Sequence, residues 1–145
     1  MSYIFFGTPR FAAIILEKLI AAGLPPALVI ANPDRPAGRK KELRAPETKL
    51  IAAKYGLHAH QPEKPEVKSL KFEVDKLGDI DFAVVAAYGN IIKKDVLDLP
   101  RLGTIGVHPS LLPLYRGATP IQSAILGGET TTGTTLFLLD EGVDS

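Results

Sequence analysis

A chain of 145 residues has room for one ordinary domain, and folding at that length hides roughly 68–70% of the unfolded surface without a metal or disulfide staple. Its 46% hydrophobic and 23% charged residues are average globular usage, and the absence of cysteine excludes a disulfide scaffold, a thiolate metal site and a cysteine nucleophile. The net charge of +1, from 17 basic against 16 acidic side chains, is less than a dedicated phosphate-backbone binder carries, and no apolar run approaches the ~20 residues of a membrane span.

The first apolar run, Tyr3-Ile4-Phe5-Phe6, has the pattern of a strand buried in a parallel sheet and ends at Gly7. It is too short for a signal-peptide core and lacks a basic lead-in, so a soluble, cytoplasmic domain is expected. Thr8 reads as a helix cap, with Pro9 as the first helical residue. Phe11, Ala12, Ile15, Leu16, Leu19 and Ile20 then recur at helical spacing, and Gly23 with Pro25-Pro26 closes the helix. A second apolar run over 27–31 completes a strand–helix–strand unit, hence parallel pairing. Residues 32–45 read as a polar loop. Its part from 34 to 44 holds five positive and two negative side chains, a local +3. Such a run is either a solvated face or an anion clamp.

Residues 46–55 read as a helix ended by Gly56, 57–60 as a short strand, and 65–77 as a helix stopped by Gly78. Residues 81–87 form the clearest central strand. A short helix over 93–99, a fifth strand over 104–108, a helix over 118–126 and a sixth strand over 134–139 follow. The alternation predicts an α/β fold with a Rossmann-like, doubly wound, mostly parallel sheet. Ligands of such sheets sit beyond the carboxyl ends of the strands. Candidate positions are therefore Gly7-Thr8-Pro9, Ala87-Tyr88-Gly89-Asn90, the segment from His108 and the segment from Asp140.

Gly7-Thr8-Pro9-Arg10-Phe11-Ala12 has one glycine where a dinucleotide fingerprint needs three, which argues against a nicotinamide or flavin enzyme. His108 ends a strand and enters a proline-stiffened loop. It is either a packed histidine bonded to backbone or a proton-transfer group, which its near-neutral titration suits. Asp140, Glu141 and Asp144 could orient or ionise it, or could form an ordinary acidic turn around Gly142. Ser110, His108 and Asp144 are the residue types of a hydrolase triad, but there is no G-x-S-x-G elbow. His58 and His60 alternate onto one strand face, as a surface strand or a two-histidine metal chelate would.

Taken together, several segments resemble the amino-terminal catalytic domain of the methionyl-tRNA formyltransferases, within the folate-dependent formyltransferase group. They are Ile4-Phe5-Phe6-Gly7-Thr8-Pro9, Asn32-Pro33-Asp34-Arg35-Pro36-Ala37-Gly38-Arg39 and Val85-Ala86-Ala87-Tyr88-Gly89. To these are added His108-Pro109-Ser110-Leu111-Leu112-Pro113, the run from Tyr115 to Gln122, and Leu139-Asp140-Glu141-Gly142-Val143-Asp144. The resemblance implies formyl transfer from 10-formyltetrahydrofolate to the α-amino group of methionyl initiator tRNA, without a metal, by a monomer. It assigns the chemistry to an Asn-x-His pair and a later aspartate, matched here by His108 and Asp144. Gly106 stands at the asparagine position.

By the same resemblance, folate is held by Tyr88, Gly89, Asn90, Ile91 and Ile92, by Ser110, Leu111, Leu112 and Pro113, and by Leu139, Asp140, Glu141, Gly142 and Val143. Arg35, Arg39, Lys40 and Lys41 meet tRNA. Family members continue beyond this length into a carboxyl-terminal β-barrel, so an incomplete catalytic domain spanning 1–145 is expected. Glycine has no side chain to donate a hydrogen bond to a developing oxyanion, and loss of one such donor lowers turnover by about 10²–10³. In a full-length context, Gly106→Asn is accordingly expected to raise formylation of methionyl-tRNA by about tenfold or more. The alternatives are a catalytically silent folate-binding domain and a sugar N-formyltransferase, against which the basic loop argues.

Overall fold

The computed structural model describes residues 1–140. Strands are β1 (Tyr3–Phe6), β2 (Leu28–Ile30), β3 (Arg35–Ala37), β4 (Glu42–Arg44), β5 (Ala59–His60), β6 (Phe82–Val85), β7 (Thr104–His108) and β8 (Thr135–Leu138). Helices are α1 (Arg10–Ala21), α2 (Glu47–Lys54), α3 (Val67–Asp75), α4 (Lys94–Leu97) and α5 (Pro120–Leu126). Among the described residues a six-stranded sheet runs in the order β5-β2-β1-β6-β7-β8. Every pairing in it is parallel except β7 with β8. The doubly wound, mostly parallel sheet expected from the sequence is the observed fold.

Period-2 alternation on β1 sends side chains into two cores. Ile4 and Phe6 join Leu28, Ile30, Leu70, Ile80 and Val96 on the face carrying α3 and α4. Tyr3 and Phe5 join Ala12, Leu16, Val29 and Ala52 on the face carrying α1 and α2. The chain winds from β1 to β2 on one side and returns to β6 on the other, so the order reverses between β1 and β6. Gly7 sits at that reversal. A Cβ there would lie 2.5 Å from the Ala12 Cβ and 2.9 Å from the Ala86 carbonyl oxygen, so only glycine lets the start of α1 approach the end of β6.

Two expectations need correction. Residues 35–44 are not an irregular loop but an antiparallel hairpin, β3 with β4, closed by a turn in which the Lys41 N–H donates to the Gly38 carbonyl at 3.2 Å. Thr8 does not cap α1; Pro9 holds the cap position without a side-chain hydrogen bond. The Thr8 hydroxyl instead donates to the Tyr88 carbonyl at 2.9 Å, across the sheet reversal.

Candidate active site

A crevice of about 630 Å³ opens beside β6, β7 and β8, lined among others by Phe11, Tyr88, Asn90, Ile92, His108, Gln122, Phe137 and Asp140. Of the positions expected beyond the strand ends it takes in Ala87 to Asn90, His108 and Asp140, but not Gly7, Thr8 or Pro9. Because β8 is antiparallel, its carboxyl end lies beside the amino end of β7, where the Leu139 N–H donates to the Thr104 carbonyl at 2.8 Å. His108 and Asp140 therefore sit near opposite ends of β7. The crevice that joins them is lined by the segments after β6 and β7 and by Gly106 and Phe137 within the sheet.

His108 is only 6% exposed. Its Nε2 lies 2.7 Å from the Tyr115 carbonyl oxygen, and a carbonyl can only accept, so Nε2 carries a proton. A neutral ring then has its lone pair on Nδ1, with its tautomer fixed by the backbone. The turn that supplies Tyr115 is tightly closed. The Ser110 hydroxyl donates to the Leu114 carbonyl at 2.6 Å, and the Thr135 hydroxyl donates to the Ser110 carbonyl at 2.7 Å. The packed and the proton-transfer readings of His108 are thus compatible: one nitrogen anchors the ring while its wall faces the crevice.

Gly106 occupies the middle of one rung, paired with Val85 on β6 and with Phe137 on β8, and all three line the crevice. A Cβ on Gly106 would lie 2.5, 2.8 and 3.0 Å from Cζ, Cε1 and Cε2 of Phe137. The phenyl ring folds over the bare glycine and covers backbone that a side chain would otherwise cover. This bears on the expectation for Gly106→Asn, which requires the Phe137 ring to move. The space such an amide needs already holds an aromatic ring, so the single substitution overpacks the rung.

The loop after β6 contributes Tyr88, Gly89, Asn90, Ile91 and Ile92 to the crevice wall, and Leu139 and Asp140 line it from the far side. Burial pushes the Tyr88 phenol up to about 12, against a smaller opposite pull from Asn90, so it stays neutral at physiological pH. Ser110, Leu111, Leu112 and Pro113 lie outside the lining, and the Ser110 hydroxyl is used within the turn. Glu141, Gly142, Val143 and Asp144 lie outside the described residues, and so does the aspartate arm of the serine triad.

The histidine pair is split. His58 Nε2 meets a Glu73 carboxylate oxygen at 2.8 Å, whereas His60 Nε2 meets the Ser69 carbonyl at 3.2 Å. Among the described residues no group of three or more His, Asp or Glu side chains is placed to hold a metal. Away from the crevice, Arg35, Arg39, Lys40 and Lys41 are all exposed on the hairpin. Arg35 stands directly opposite Arg44, a like-charge pair.

Comparison with known proteins decides the family. Residues 1–145 match the family profile described as "Formyl transferase". The chain belongs to the formyl transferase family. It is 47% identical over 142 residues to the methionyl-tRNA formyltransferase of Thermodesulfovibrio yellowstonii, covering 98% of this chain and 46% of that protein. It is 49% identical over 146 residues to the methionyl-tRNA formyltransferase of Syntrophus aciditrophicus, covering 100% of this chain and 46% of that protein. The chain therefore spans about half the length of these curated relatives. Among solved structures, phosphoribosylglycinamide formyltransferase from Bacillus halodurans shares the fold with a TM-score of 0.74 at 22% identity, covering 100% of this chain and 75% of that one. A sugar N-formyltransferase from Shewanella sp. aligns with a TM-score of 0.61 at 20% identity, covering 99% of this chain and 53% of that one.

Proposed function

We propose that this chain carries the catalytic crevice for formyl transfer from 10-formyltetrahydrofolate to the α-amino group of methionyl initiator tRNA. The observation that carries the reading is the placement of His108. Its ring is buried and its tautomer fixed, and it lines the same crevice as the loop after β6 and the segment after β8.

The crevice suits the donor. Its volume of about 630 Å³ lies within the range of small-molecule sites, roughly 300–1,000 Å³. Phe11, Val85, Ile92, Phe137 and Leu139 supply apolar walls for a planar heterocycle, and the backbone edge of 88–92 supplies polar groups for its rim. The folate would supply the activated formyl group. As the amine bonds to the formyl carbon and the bond from that carbon to the folate nitrogen breaks, His108 would take the amine's proton while the leaving nitrogen gains one, and the apolar walls keep water from competing. Formyl transfer is a reaction in which charge develops on the formyl oxygen, so a hydrogen-bond donor at that oxygen is worth much of the rate. Gly106 has no side-chain donor.

The hairpin suits the acceptor. Arg35, Arg39, Lys40 and Lys41 project from a strand pair with little apolar surface, and the facing pair Arg35 and Arg44 favours a bound phosphate. Incubating the chain with 10-formyltetrahydrofolate and methionyl-tRNA should yield formylmethionyl-tRNA, with faster turnover than on a nucleotide-linked amino sugar. Faster turnover of the sugar would overturn the assignment of acceptor.

One observation favours a second reading. The Phe137 ring lies where a side chain on Gly106 would begin, as in a domain that binds folate without turnover. Calorimetric binding of 5-formyltetrahydrofolate together with no formyl transfer would select that reading.

A further inference from the structure

Asn32 follows β2 and is not one of the residues lining the crevice, yet all four of its hydrogen-bonding atoms are engaged. Its N–H donates to the Thr8 hydroxyl oxygen at 3.2 Å, and its carbonyl accepts from the Gln61 side chain at 3.1 Å. Its carboxamide Nδ2 donates to the Tyr88 carbonyl at 2.7 Å, while its Oδ1 accepts from the Asn90 side chain at 2.5 Å. One residue thereby stitches together the segments that follow β1, β2, β5 and β6. It bridges the point where strand order reverses.

The loop it holds is not in a relaxed conformation. Ala87 has φ 54° and Gly89 has φ 90°. A left-handed alanine persists only where its surroundings over-determine it. Here the Thr8 N–H donates to the Ala87 carbonyl at 3.2 Å, and the Thr8 hydroxyl and Asn32 Nδ2 converge on the Tyr88 carbonyl. Asn32 also packs against Gly89, where a Cβ would lie 3.1 Å from its Nδ2. Tyr88, Gly89 and Asn90 in turn form crevice wall.

We propose that Asn32 is a positioning residue, holding backbone 87–90 in the conformation that receives the formyl donor. The proposal rests on the reading of 88–92 as the donor's binding loop. The requirement is chemically narrow. The position needs a donor toward a carbonyl and an acceptor toward an amide in one planar group, which a carboxamide supplies. An ionised carboxylate would place an acceptor against the Tyr88 carbonyl, whereas a protonated carboxyl group would restore the donor. The charged group of the same segment is Asp34, bonded to Gln61 at 2.7 Å and to Lys49 at 3.2 Å. The Tyr88 phenol is neutral in the range used below.

The test compares the full chain with Asn32→Asp and Asn32→Ala. It measures the affinity for 5-formyltetrahydrofolate by calorimetry and amide hydrogen exchange over 87–90, each as a ratio to wild type at pH 7.5 and pH 5. At pH 7.5 both variants should bind about tenfold or more weakly. The Tyr88 carbonyl oxygen facing this position disfavours an ionised carboxylate, so at pH 5 Asn32→Asp should recover and Asn32→Ala should not, a signature that a loss of packing alone would not give. Equal affinity of all three proteins, or an Asn32→Asp deficit that ignores pH, overturns the proposal. If Asn32→Asp does not fold at pH 7.5, Asn32→Ala decides: retained affinity overturns the proposal and weakened affinity with faster exchange at 87–90 supports it. If wild type itself binds no folate, the donor-loop reading fails. Exchange then judges Asn32 alone, with pH-reversible acceleration in Asn32→Asp supporting a positioning role and unchanged exchange overturning it.

Discussion

On β2, Leu28, Val29 and Ile30 are completely buried, whereas on β8 Leu136 and Leu138 are 68% and 72% exposed. Between them, β7 inverts the usual pattern. Thr104, Gly106 and His108 are its buried positions, and Ile105 and Val107 are only half-buried. The β5-β2-β1-β6 half is a support, made of apolar runs covered on both faces. On the proposed reading the β7–β8 half carries the chemistry; small or polar side chains sit inside where β7 borders the crevice. The buried Thr104, His108 and Ser110 side chains each bond to a backbone carbonyl, the Thr104 hydroxyl donating to that of Leu97 at 3.0 Å. A strand that hides its polar side and half-exposes its apolar one is a signal of function rather than of poor packing.

The contrast predicts the most in the support half. Phe5→Ala should destabilise the chain by about 3–5 kcal/mol, through lost burial and an unfilled cavity. Leu138→Ala on the open half should stay within about 0.5 kcal/mol of wild type. Denaturant unfolding of both variants checks this, and equal losses would erase the distinction between the halves.

Next in size is His108→Ala, expected to lower formyl transfer by about 10²–10⁴-fold while leaving folate affinity largely intact. Steady-state rates beside calorimetry separate the two. A parallel loss of affinity and rate would return His108 to a purely packing role.

The third concerns Gly106 and Phe137. Gly106→Asn alone should cost about 1–3 kcal/mol by overpacking and give no gain in rate. Adding Phe137→Leu removes the ring atoms in conflict, and the double variant should then exceed the parent in formyl transfer by about tenfold or more. A double-variant cycle in stability and rate measures the coupling. Additive effects would mean that the ring and the glycine are independent.

The smallest effect lies at the root of the basic hairpin. Hydrogen bonds from Gln61, and then from Lys49, hold the Asp34 carboxyl below the usual carboxylate range. A depressed folded-state value stabilises the fold above the unfolded pKa, near 3.9, and that stability fades as pH falls through the lower folded value. Gln61→Leu should shift the Asp34 titration upward toward its ordinary value, as carboxyl-carbon NMR would show. An unmoved titration would remove Gln61 as the cause.

The support half was largely legible in the sequence because β1, β2 and β6 are uninterrupted apolar runs, and their parallel pairing follows from the helices between them. The hairpin was not legible, since Pro36 and facing arginines are poor strand signals and no apolar face announces the pair. Thr8 before Pro9 has the composition of a cap. Only the tertiary fold shows that Tyr88 and Asn32 claim its hydroxyl instead. His108 was visible as a candidate from its place at a strand end. Phe137 was not, because strand direction and register decide that it stands across from Gly106, and neither can be read from Thr-Thr-Leu-Phe-Leu-Leu. Asn32 was visible only as part of a motif, since its partners lie 24 to 58 positions away.

Whether the crevice beside β6, β7 and β8 receives the folate is tested most directly by titrating 5-formyltetrahydrofolate into isotope-labelled chain and following backbone amides by NMR. Saturable shifts should concentrate at Tyr88 through Ile92, Gly106 through His108, and Leu139, with the hairpin tip at Arg39 and Lys40 unmoved. Shifts confined to the hairpin or to the α1–α2 face, with the crevice amides silent, would contradict it.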